Sequence, residues 1–495
     1  MNWLAKHILF LHIAVFVIAL GWIHGGTRPD WLLPVLPWLS LAILEWLLLC
    51  AQPKKGELLL ESRQRVWFTL TRDKLFPIAL VFTLLLVIPF FNVAPAPIYD
   101  EATKTWQVFA PPVKWLPFTP EIRRHGVVVL WFIPVMIIVL AAKHGLLKRS
   151  KRILLEVICW NGAALALLGF VQLAVKADAI LWLTKMQGDF FSTFGYVNIG
   201  AAYFILIGAI SFGLWVQQAA EDANLTPLST LAPDELQSPL IAHRMLLPTL
   251  LCFSGAIATL SRAGILLSFV LFVFFVIYGI CYIWKRIDLG VRISILSFVS
   301  ALIFSLVVLF FALRLEGLKR ELATITWKAV IERVSGTGQY HVRVAKEIAS
   351  DYPLFGVGGW GYPVYQGVYL KEEDHKNFQY VGGSNVHNDS LQFMAEHGYV
   401  GFGLMLAFAL GVIIPLSVEV FQFCRLKPTG GDVAPSVFKT HWFYRLPPVV
   451  VAICAGTAAT VIHSFGDLPF RSPAVLVVWL LAFVCASGWL PVMKK

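Results

Sequence analysis

The chain has 495 residues, of which 58% are hydrophobic and 14% are charged. Soluble proteins carry charged side chains at roughly a quarter of their positions, so this composition argues against a water-facing surface. It is typical of helices that face lipid or one another around their whole circumference. The formal net charge is +11, but the basic residues lie in short clusters between apolar segments. That pattern favours loops that fix membrane topology over a nucleic-acid surface.

Apolar segments long enough to cross a hydrocarbon core of about 30 Å recur along the chain. The first, Ile8 to Trp22, lacks a small-residue cleavage site and precedes many others, so it predicts a transmembrane helix and not a cleaved signal peptide. The pattern predicts an all-α polytopic membrane protein with about twelve spans. These lie near residues 8–24, 31–51, 74–94, 126–142, 153–175, 196–216, 245–260, 264–284, 293–313, 399–423, 447–463 and 472–492.

The charge of the connecting segments predicts the orientation. Cytoplasmic connections carry an excess of Lys and Arg. With the N-terminus inside, the cytoplasmic side receives the Lys494-Lys495 end and the basic connections 52–73, 143–152, 285–292 and 424–446. The connection 217–244 is acidic, but acidic residues contribute little to the rule. Both termini are therefore expected in the cytoplasm, and the segments near 92–125 and 314–398 are expected outside.

The longest polar stretch divides the chain into three predicted parts: spans one to nine within 1–313, a large external loop at 314–398, and spans ten to twelve within 399–495. The first part of the loop, Leu315 to Ser350, has apolar positions at helical spacing and predicts an amphipathic helix. A Gly-rich stretch from Gly356 to Gly361 follows and predicts tight turns.

Cysteine usage and acidic motifs argue against a disulfide framework or a metal site. The seven cysteines lie within or beside apolar segments, and no Cys-x-x-Cys pair occurs. There is no Asp-x-Asp motif, and the external acidic run Glu372-Glu373-Asp374 sits in a polar segment that predicts a solvated face. No cofactor and no metal are expected.

Two of four polar motifs at the predicted outer boundary contain arginine. Ser261-Arg262 lies between two spans. An arginine there is costly unless it has a partner or faces a cavity, so Arg262 is either an anion ligand or a topological anchor. Arg343 precedes the run Asp351 to Gly358, whose Pro and Gly residues predict a helix end and turns. Arg343 is either part of a site or a solvated residue.

The other two motifs contain histidine. His387 enters a span beside Asn388 and can serve as a general base near neutral pH, whereas Asn388 can equally cap the helix. His463 and Asp467 follow the eleventh predicted span. They form either a functional pair or a polar turn between two helices.

Taken in order, these segments resemble the O-antigen ligase/polymerase superfamily. The resemblance is carried by the runs SRAG at 261–264, DYPLFGVG at 351–358 and HNDSLQFMAEHGYVG at 387–401. FGYVNIGAAY around Asn198 and HSFGDLPFRSPA from His463 are similar to further family segments. The resemblance extends from about Phe191 to Pro473, and the His-Asn-x-x-Leu-Gln-x-x-x-Glu-x-Gly pattern is its most specific part.

The resemblance implies a fold related to the large membrane glycosyltransferases (GT-C-like) and a metal-independent, inverting reaction. A glycan would move from an undecaprenyl-pyrophosphate carrier to a saccharide or lipid A–core acceptor, on the periplasmic face of the bacterial inner membrane. It further implies that His387 is the catalytic base and that Arg262 and Arg343 bind the donor pyrophosphate. Supporting positions are Ser261, Asn388, Asn198, His463 and Asp467.

One departure and two alternatives stay open. Many relatives carry an arginine at the position where this chain has Gly338. Whether Arg343, five residues later, replaces that arginine stays open. The acceptor is lipid A–core in a ligase, the same glycan in a polymerase, and a protein hydroxyl in a protein O-oligosaccharyltransferase. A transporter also has about twelve spans, but the two halves of this chain show no similarity to each other.

Overall fold

The computed structural model describes residues 2–26, 38, 42, 44, 45, 56–186, 188–225, 243–284, 340–371, 385–425 and 446–489. Within these ranges the chain is mostly helical, and two short antiparallel hairpins make up the sheet. The hairpins pair β1 (Ile98–Asp100) with β2 (Thr105–Gln107) and β3 (Ala179–Ile180) with β4 (Thr184–Lys185). The α-helices are α1 (Asn2–Trp22), α2 (Leu59–Thr71), α3 (Leu75–Val87), α4 (Ile122–Gly145), α5 (Lys148–Ala174), α6 (Val197–Leu225), α7 (Leu246–Ala258), α8 (Arg262–Trp284), α9 (Tyr340–Asp351), α10 (Tyr362–Tyr365), α11 (Asp389–Arg425), α12 (Pro448–Ser464) and α13 (Pro473–Ala486).

Five of the described helices are long and apolar enough to cross a membrane, which supports an all-α membrane protein. They are Ile122–Gly145, Lys148–Ala174, Val197–Gln218, Arg262–Gly279 and Asp389–Arg425. A sixth span would be the pair Leu59–Thr71 and Leu75–Phe91, which is bent by 75° at its break. Shorter apolar helices lie at His7–Trp22, Leu246–Ala258, Pro448–Ser464 and Pro473–Trp489.

The predicted spans coincide with these helices only in part, so the number twelve stays a prediction. The segment 293–313 lies outside the described residues, and so does nearly all of 31–51. The segments 245–260 and 264–284 fall on two separate helices, α7 and α8, with a break between them. Of the predicted amphipathic helix over 315–350, only the part in α9 is described.

The connection 52–73, predicted as a cytoplasmic loop, contains the helix α2. Leu60, Trp67 and Phe68 on this helix are exposed, although they are large and apolar. A helix with exposed apolar side chains beside basic ones is typical of the membrane interface. The Lys and Arg that predicted a loop here are compatible with such a helix, because the positive-inside rule reports side and not secondary structure.

Helix α6 lies at the centre of the described fold. Its membrane-length segment is entirely buried, and α7 and α12 pack along it. The packing is close where small residues meet: a side chain at Gly213 would overlap Ala452 and the backbone of Val449, and one at Gly456 would overlap Ala209. Because α6 is held on several sides, residues at its first turn and just before it are fixed relative to α12 and α13.

Helix α11 is broken at Gly398, where φ is 64° and ψ is −174°. The turn of the PLFGVG run fits into this break: Tyr399 N donates to Pro353 O at 2.8 Å, and Gly358 N donates to Glu396 O at 2.8 Å. Gly356 also has positive φ, and a side chain there would overlap the backbone of Glu396. The turn and the broken helix are therefore packed backbone against backbone, in the helix that follows His387.

Candidate functional site

Four polar side chains from three parts of the chain meet at the start of α6. His387 Nδ1 lies 3.3 Å from Tyr196 Oη and 3.5 Å from Asp467 Oδ1. Tyr196 Oη in turn donates to both carboxylate oxygens of Asp467, at 2.9 and 3.0 Å. The Asn198 amide donates to Tyr196 Oη at 2.9 Å and also to Asp467. We call His387, Asp467, Tyr196 and Asn198 the histidine cluster.

The cluster has the electrostatics of a base with a buried counter-ion. Asp467 is buried, whereas about a third of the His387 side chain is exposed. Burial alone would raise the pKa of Asp467, but hydrogen bonds from His387 and Tyr196 and the charges of His387 and His463 outweigh it and lower that pKa. A proton on Nδ1 of His387 is stabilised by this carboxylate. Nε2 then carries the lone pair that can accept a proton from a substrate.

The geometry of the His387 loop is set in part by its own polar residues. His387 has a φ of 54°, in the left-handed region. The backbone around it is held by Gln392, whose Oε1 accepts from Val386 N at 2.9 Å and whose Nε2 donates to Asn385 at 3.0 Å. Asn388 caps α11 by accepting from Leu391 N at 3.0 Å, and its amide donates to Phe465 O at 3.0 Å. Asn388 therefore acts as a helix cap that also ties His387 to the Asp467 loop.

A buried ion pair lies on the α11 side of the cluster. Arg471 donates to Glu396, and its guanidinium lies 4.7 Å from the centre of the Trp360 ring. Asp389 accepts from Phe470 N at 2.9 Å, which joins the start of α11 to the loop that carries Asp467. These contacts cross-link the two loops that hold His387 and its counter-ion.

A cavity of about 190 Å³ adjoins this ion pair. Its polar end holds Asp389, Glu396 and Arg471, and its walls are the apolar side chains of α4, α11 and α13. Phe393 and Trp479 are among those walls. A space with one polar end and apolar walls fits a molecule that has a polar head and a hydrocarbon chain.

The two predicted donor-binding arginines lie on separate helices. Arg262 is the first residue of α8, and its side chain is exposed. Arg343 lies on α9 and donates to both oxygens of Glu347, at 3.0 and 2.9 Å, and to Tyr369 O at 3.2 Å. Arg343 is therefore oriented by an ion pair within its own helix, which fixes a cation on the face of α9.

Ser261 and His463 are both buried. Ser261 is buried, and its Oγ accepts from Gly264 N at 3.2 Å, so it caps α8. His463 is buried near the end of α12, where its charge acts on Asp467. The capping contact of Ser261 favours a supporting role over direct chemistry.

Sequence reasoning missed two members of this region, Tyr196 and His341. The ring of His341 lies 6.4 Å from the ring of His387, and its Nδ1 is 2.9 Å from Tyr362 Oη. Burial and the charge of His387 lower the pKa of His341 to about 4, so it is neutral near neutral pH. His341 is the second residue of the amphipathic helix α9, and nothing in the sequence around it predicts a contact with His387. Tyr196 did stand inside the quoted FGYVNIGAAY segment.

Among the described residues, no group of three or more His, Cys, Asp or Glu side chains is arranged to hold a metal ion. The acidic groups of the histidine cluster and of the cavity are instead engaged with Tyr196, Asn198 and Arg471. The cationic groups near the centre are arginines and histidines.

The comparisons with known proteins agree with the motifs. Residues 247–406 match the family model described as O-antigen ligase. The match contains Arg262, Arg343 and His387, whereas Tyr196 and Asp467 come from outside it. A search of curated proteins found no match. The match of residues 247–406 confirms the resemblance of this membrane protein to the O-antigen ligase superfamily.

Proposed function

We propose that the protein transfers a glycan from an undecaprenyl-pyrophosphate carrier to an acceptor hydroxyl, on the periplasmic face of a bacterial inner membrane. The observation that carries this proposal is His387, which lies within the match to the O-antigen ligase model, partly exposed, with a buried carboxylate behind its Nδ1. A histidine with one nitrogen held by a carboxylate and the other open to substrate is suited to remove a hydroxyl proton.

In the proposed reaction His387 Nε2 accepts the proton of the acceptor hydroxyl as its oxygen attacks the anomeric carbon of the donor glycan. The bond from that carbon to the pyrophosphate oxygen breaks on the opposite face, so the configuration is inverted. Undecaprenyl pyrophosphate leaves with the electron pair. Asp467 stabilises the imidazolium that forms.

The leaving pyrophosphate develops negative charge, which Arg262 and Arg343 are proposed to neutralise. Guanidinium groups suit this role because they are permanently protonated and donate two parallel hydrogen bonds. Arg343 is held by Glu347 on α9, the helix that also brings His341 beside His387. In this scheme no metal ion is needed.

The cavity beside Arg471 is proposed to receive the first isoprene units of the carrier. Its apolar walls include side chains of α4 and α11, two helices that would cross the membrane. Its polar end includes Asp389, the first residue of α11, two positions after His387. A carrier placed there would have its pyrophosphate at the outer boundary and its chain among α4, α11 and α13.

The test is transfer by the purified protein in lipid nanodiscs, given undecaprenyl-pyrophosphate glycan and one of three acceptors. Lipid A–core tests ligation, a second lipid-linked glycan tests polymerisation, and a serine-containing peptide tests protein glycosylation. We expect product with one acceptor, and its formation should continue in EDTA. No product with any of the three, or loss with EDTA and recovery with added Mg²⁺ or Mn²⁺, would contradict the proposal.

A further inference from the structure

A second cavity, of about 380 Å³, lies at the end of α5. The last turns of that helix form one side, and the residues that flank the β3–β4 hairpin form the other, namely Ala177, Asp178, Met186 and 188–192. Its volume falls in the range of about 300–1000 Å³ that is usual for small-molecule sites. The histidine cluster does not use any of its residues.

The floor of this cavity has polar atoms without partners. Gln172 is 3% exposed and Ser192 is 0% exposed. Three of their side-chain atoms have no hydrogen-bond partner among the described residues: Nε2 and Oε1 of Gln172, and Oγ of Ser192. The neighbouring Thr193 differs, since its hydroxyl donates to Gly21 O at 2.6 Å. Because buried polar groups are nearly always paired, these three atoms, which belong to two residues that line one cavity, favour a ligand at this place.

The chemistry of the lining identifies the class of ligand. Gln172 offers a donor and an acceptor, and Ser192 offers a hydroxyl. Asp178 and Asp189 are exposed at the rim, where their carboxylates accept hydrogen bonds and repel anions. Phe190 adds an apolar ring. Neutral hydroxyl-rich molecules with apolar C–H faces satisfy all of these groups, whereas a phosphate does not. A bound cation would leave the Gln172 N–H groups unpaired.

The cavity lies on the same side of the fold as the histidine cluster. Ser192 precedes Tyr196 by four residues, so their Cα atoms are at most about 14 Å apart. The chain between them is a closed turn, in which Phe191 and Phe194 exchange backbone hydrogen bonds of 3.2 and 3.1 Å. Tyr196 Oη is 3.3 Å from His387 Nδ1. An extended oligosaccharide can therefore reach both places at once.

We propose that this cavity is a saccharide subsite, which holds a sugar of the glycan several units away from the bond that is made or broken. The inference rests on the proposed glycan transfer and adds to it a site for glycan length and composition. The glycan bound there belongs either to the donor or to the acceptor, and the two are distinguished by which substrate depends on the subsite.

The experiment measures saccharide binding and transfer for Gln172→Ala, Asp189→Ala and a control, Glu101→Ala. Glu101 and Asp189 are both exposed acidic residues, but Glu101 lies in the β1–β2 turn, away from the cavity. The binding probe is the reducing oligosaccharide released by mild acid from the lipid-linked donor. We expect binding about tenfold weaker in Gln172→Ala, the scale of one or two hydrogen bonds, and a smaller loss in Asp189→Ala.

Transfer assays give the second readout. The KM for one glycan substrate should rise in both cavity variants while kcat stays near that of Glu101→Ala, because the cavity does not contact His387. A rise for the donor assigns the subsite to the donor glycan, and a rise for the acceptor assigns it to the acceptor.

If Gln172→Ala fails to fold, Asp189→Ala carries the test. Unchanged binding and KM in the folded cavity variants would overturn the subsite, as would Ca²⁺ binding without saccharide binding. Absence of transfer by the wild-type protein would instead overturn the proposed function, and the binding arm would still decide the subsite.

Discussion

At the scale of single residues, a second histidine, His341, lies beside the proposed base His387. Its ring faces that of His387, and Tyr362 holds its Nδ1 at 2.9 Å. Its lowered pKa keeps it uncharged, so it does not repel a proton arriving on His387. A positively charged residue at this place would make imidazolium formation on His387 harder. Neutrality at position 341 therefore supports the proposed base.

The pKa of His341 also predicts a dependence of stability on pH. The folded protein has a pKa of about 4 at His341, below the value of about 6.5 in an unfolded chain. Between these values the unfolded chain binds the extra proton, so stability is full above pH about 6.5 and falls as the pH drops towards 4. Thermal unfolding in detergent should show this fall, and it should be shallower in His341→Gln. Equal slopes in both proteins would contradict this origin.

Asp467 is the residue that contacts the proposed base, His387. Asp467→Asn keeps the size of the side chain and removes its charge, so the imidazolium of His387 loses its counter-ion. We expect kcat to fall by about 10- to 100-fold, the scale of a charge-assisted hydrogen bond, with donor affinity unchanged. The pH at which activity rises should also shift upon substitution. An identical pH–rate profile in Asp467→Asn would assign the carboxylate a structural role only.

The arginines should behave differently from His387. Arg262→Ala and Arg343→Ala each remove charge from the proposed pyrophosphate site, so donor affinity and turnover should both fall. Lysine should restore either function only in part, because a point charge lacks the planar two-point grip. Glu347→Gln is the matched control for Arg343, since it breaks the ion pair on α9 but leaves the guanidinium. Donor affinity that is unchanged in both alanine variants would mean structural roles.

How far the sequence predicted the site depends on how local each contact is. His387, Asn388 and Asp467 were named because polar residues stand out where spans end. The contacts of Tyr196 and His341 depend on how α6 and α9 pack against the His387 loop, and no spacing in the chain encodes that. Ser261 and Asn388 differ, because their capping contacts are local, and helix-start chemistry predicts the cap at Asn388.

At the scale of elements, the break in α11 at Gly398 holds the turn of residues 353–358 against the helix that follows His387. The sequence placed the tenth span at 399–423, one residue after the break, because apolar character begins there. Residues 389–397, which the sequence assigns to the external loop, are helical as well. The turn of residues 353–358 is predicted from its Pro and Gly residues, but the surface on which it packs is not. Only the fold shows that the two most specific motifs interlock.

Substitution of Gly398 tests this interlock. Gly398→Ala places a side chain in a left-handed conformation and against the backbone of Leu354, so we expect a loss of roughly 1–3 kcal/mol in the free energy of unfolding, with reduced transfer. Gly403→Ala is the control, because a side chain there meets no atom within 4 Å and alanine favours the helix. Thermal unfolding in detergent compares them. Equal melting temperatures would mean that the interlock is not needed.

At the scale of the whole molecule, the orientation in the membrane is still a prediction from charge. The charge pattern places the histidine cluster, the β1–β2 hairpin and the cavity at the end of α5 on the periplasmic side. It places the α4–α5 connection on the cytoplasmic side. Cysteine labelling in intact cells checks it, with reporters at the exposed positions Glu101→Cys and Arg149→Cys. We expect a membrane-impermeant reagent to reach the first without permeabilisation and the second only after it. The reverse pattern would remove the case for periplasmic chemistry.

The central claim is that His387 is the base of a glycan transfer, and its most direct test measures turnover and donor affinity together in His387→Ala. Loss of a general base should lower turnover by about 10²–10⁴-fold. Binding of undecaprenyl-pyrophosphate glycan should change little, because the imidazole acts on the acceptor. A correctly inserted His387→Ala protein with full transfer activity would contradict the account.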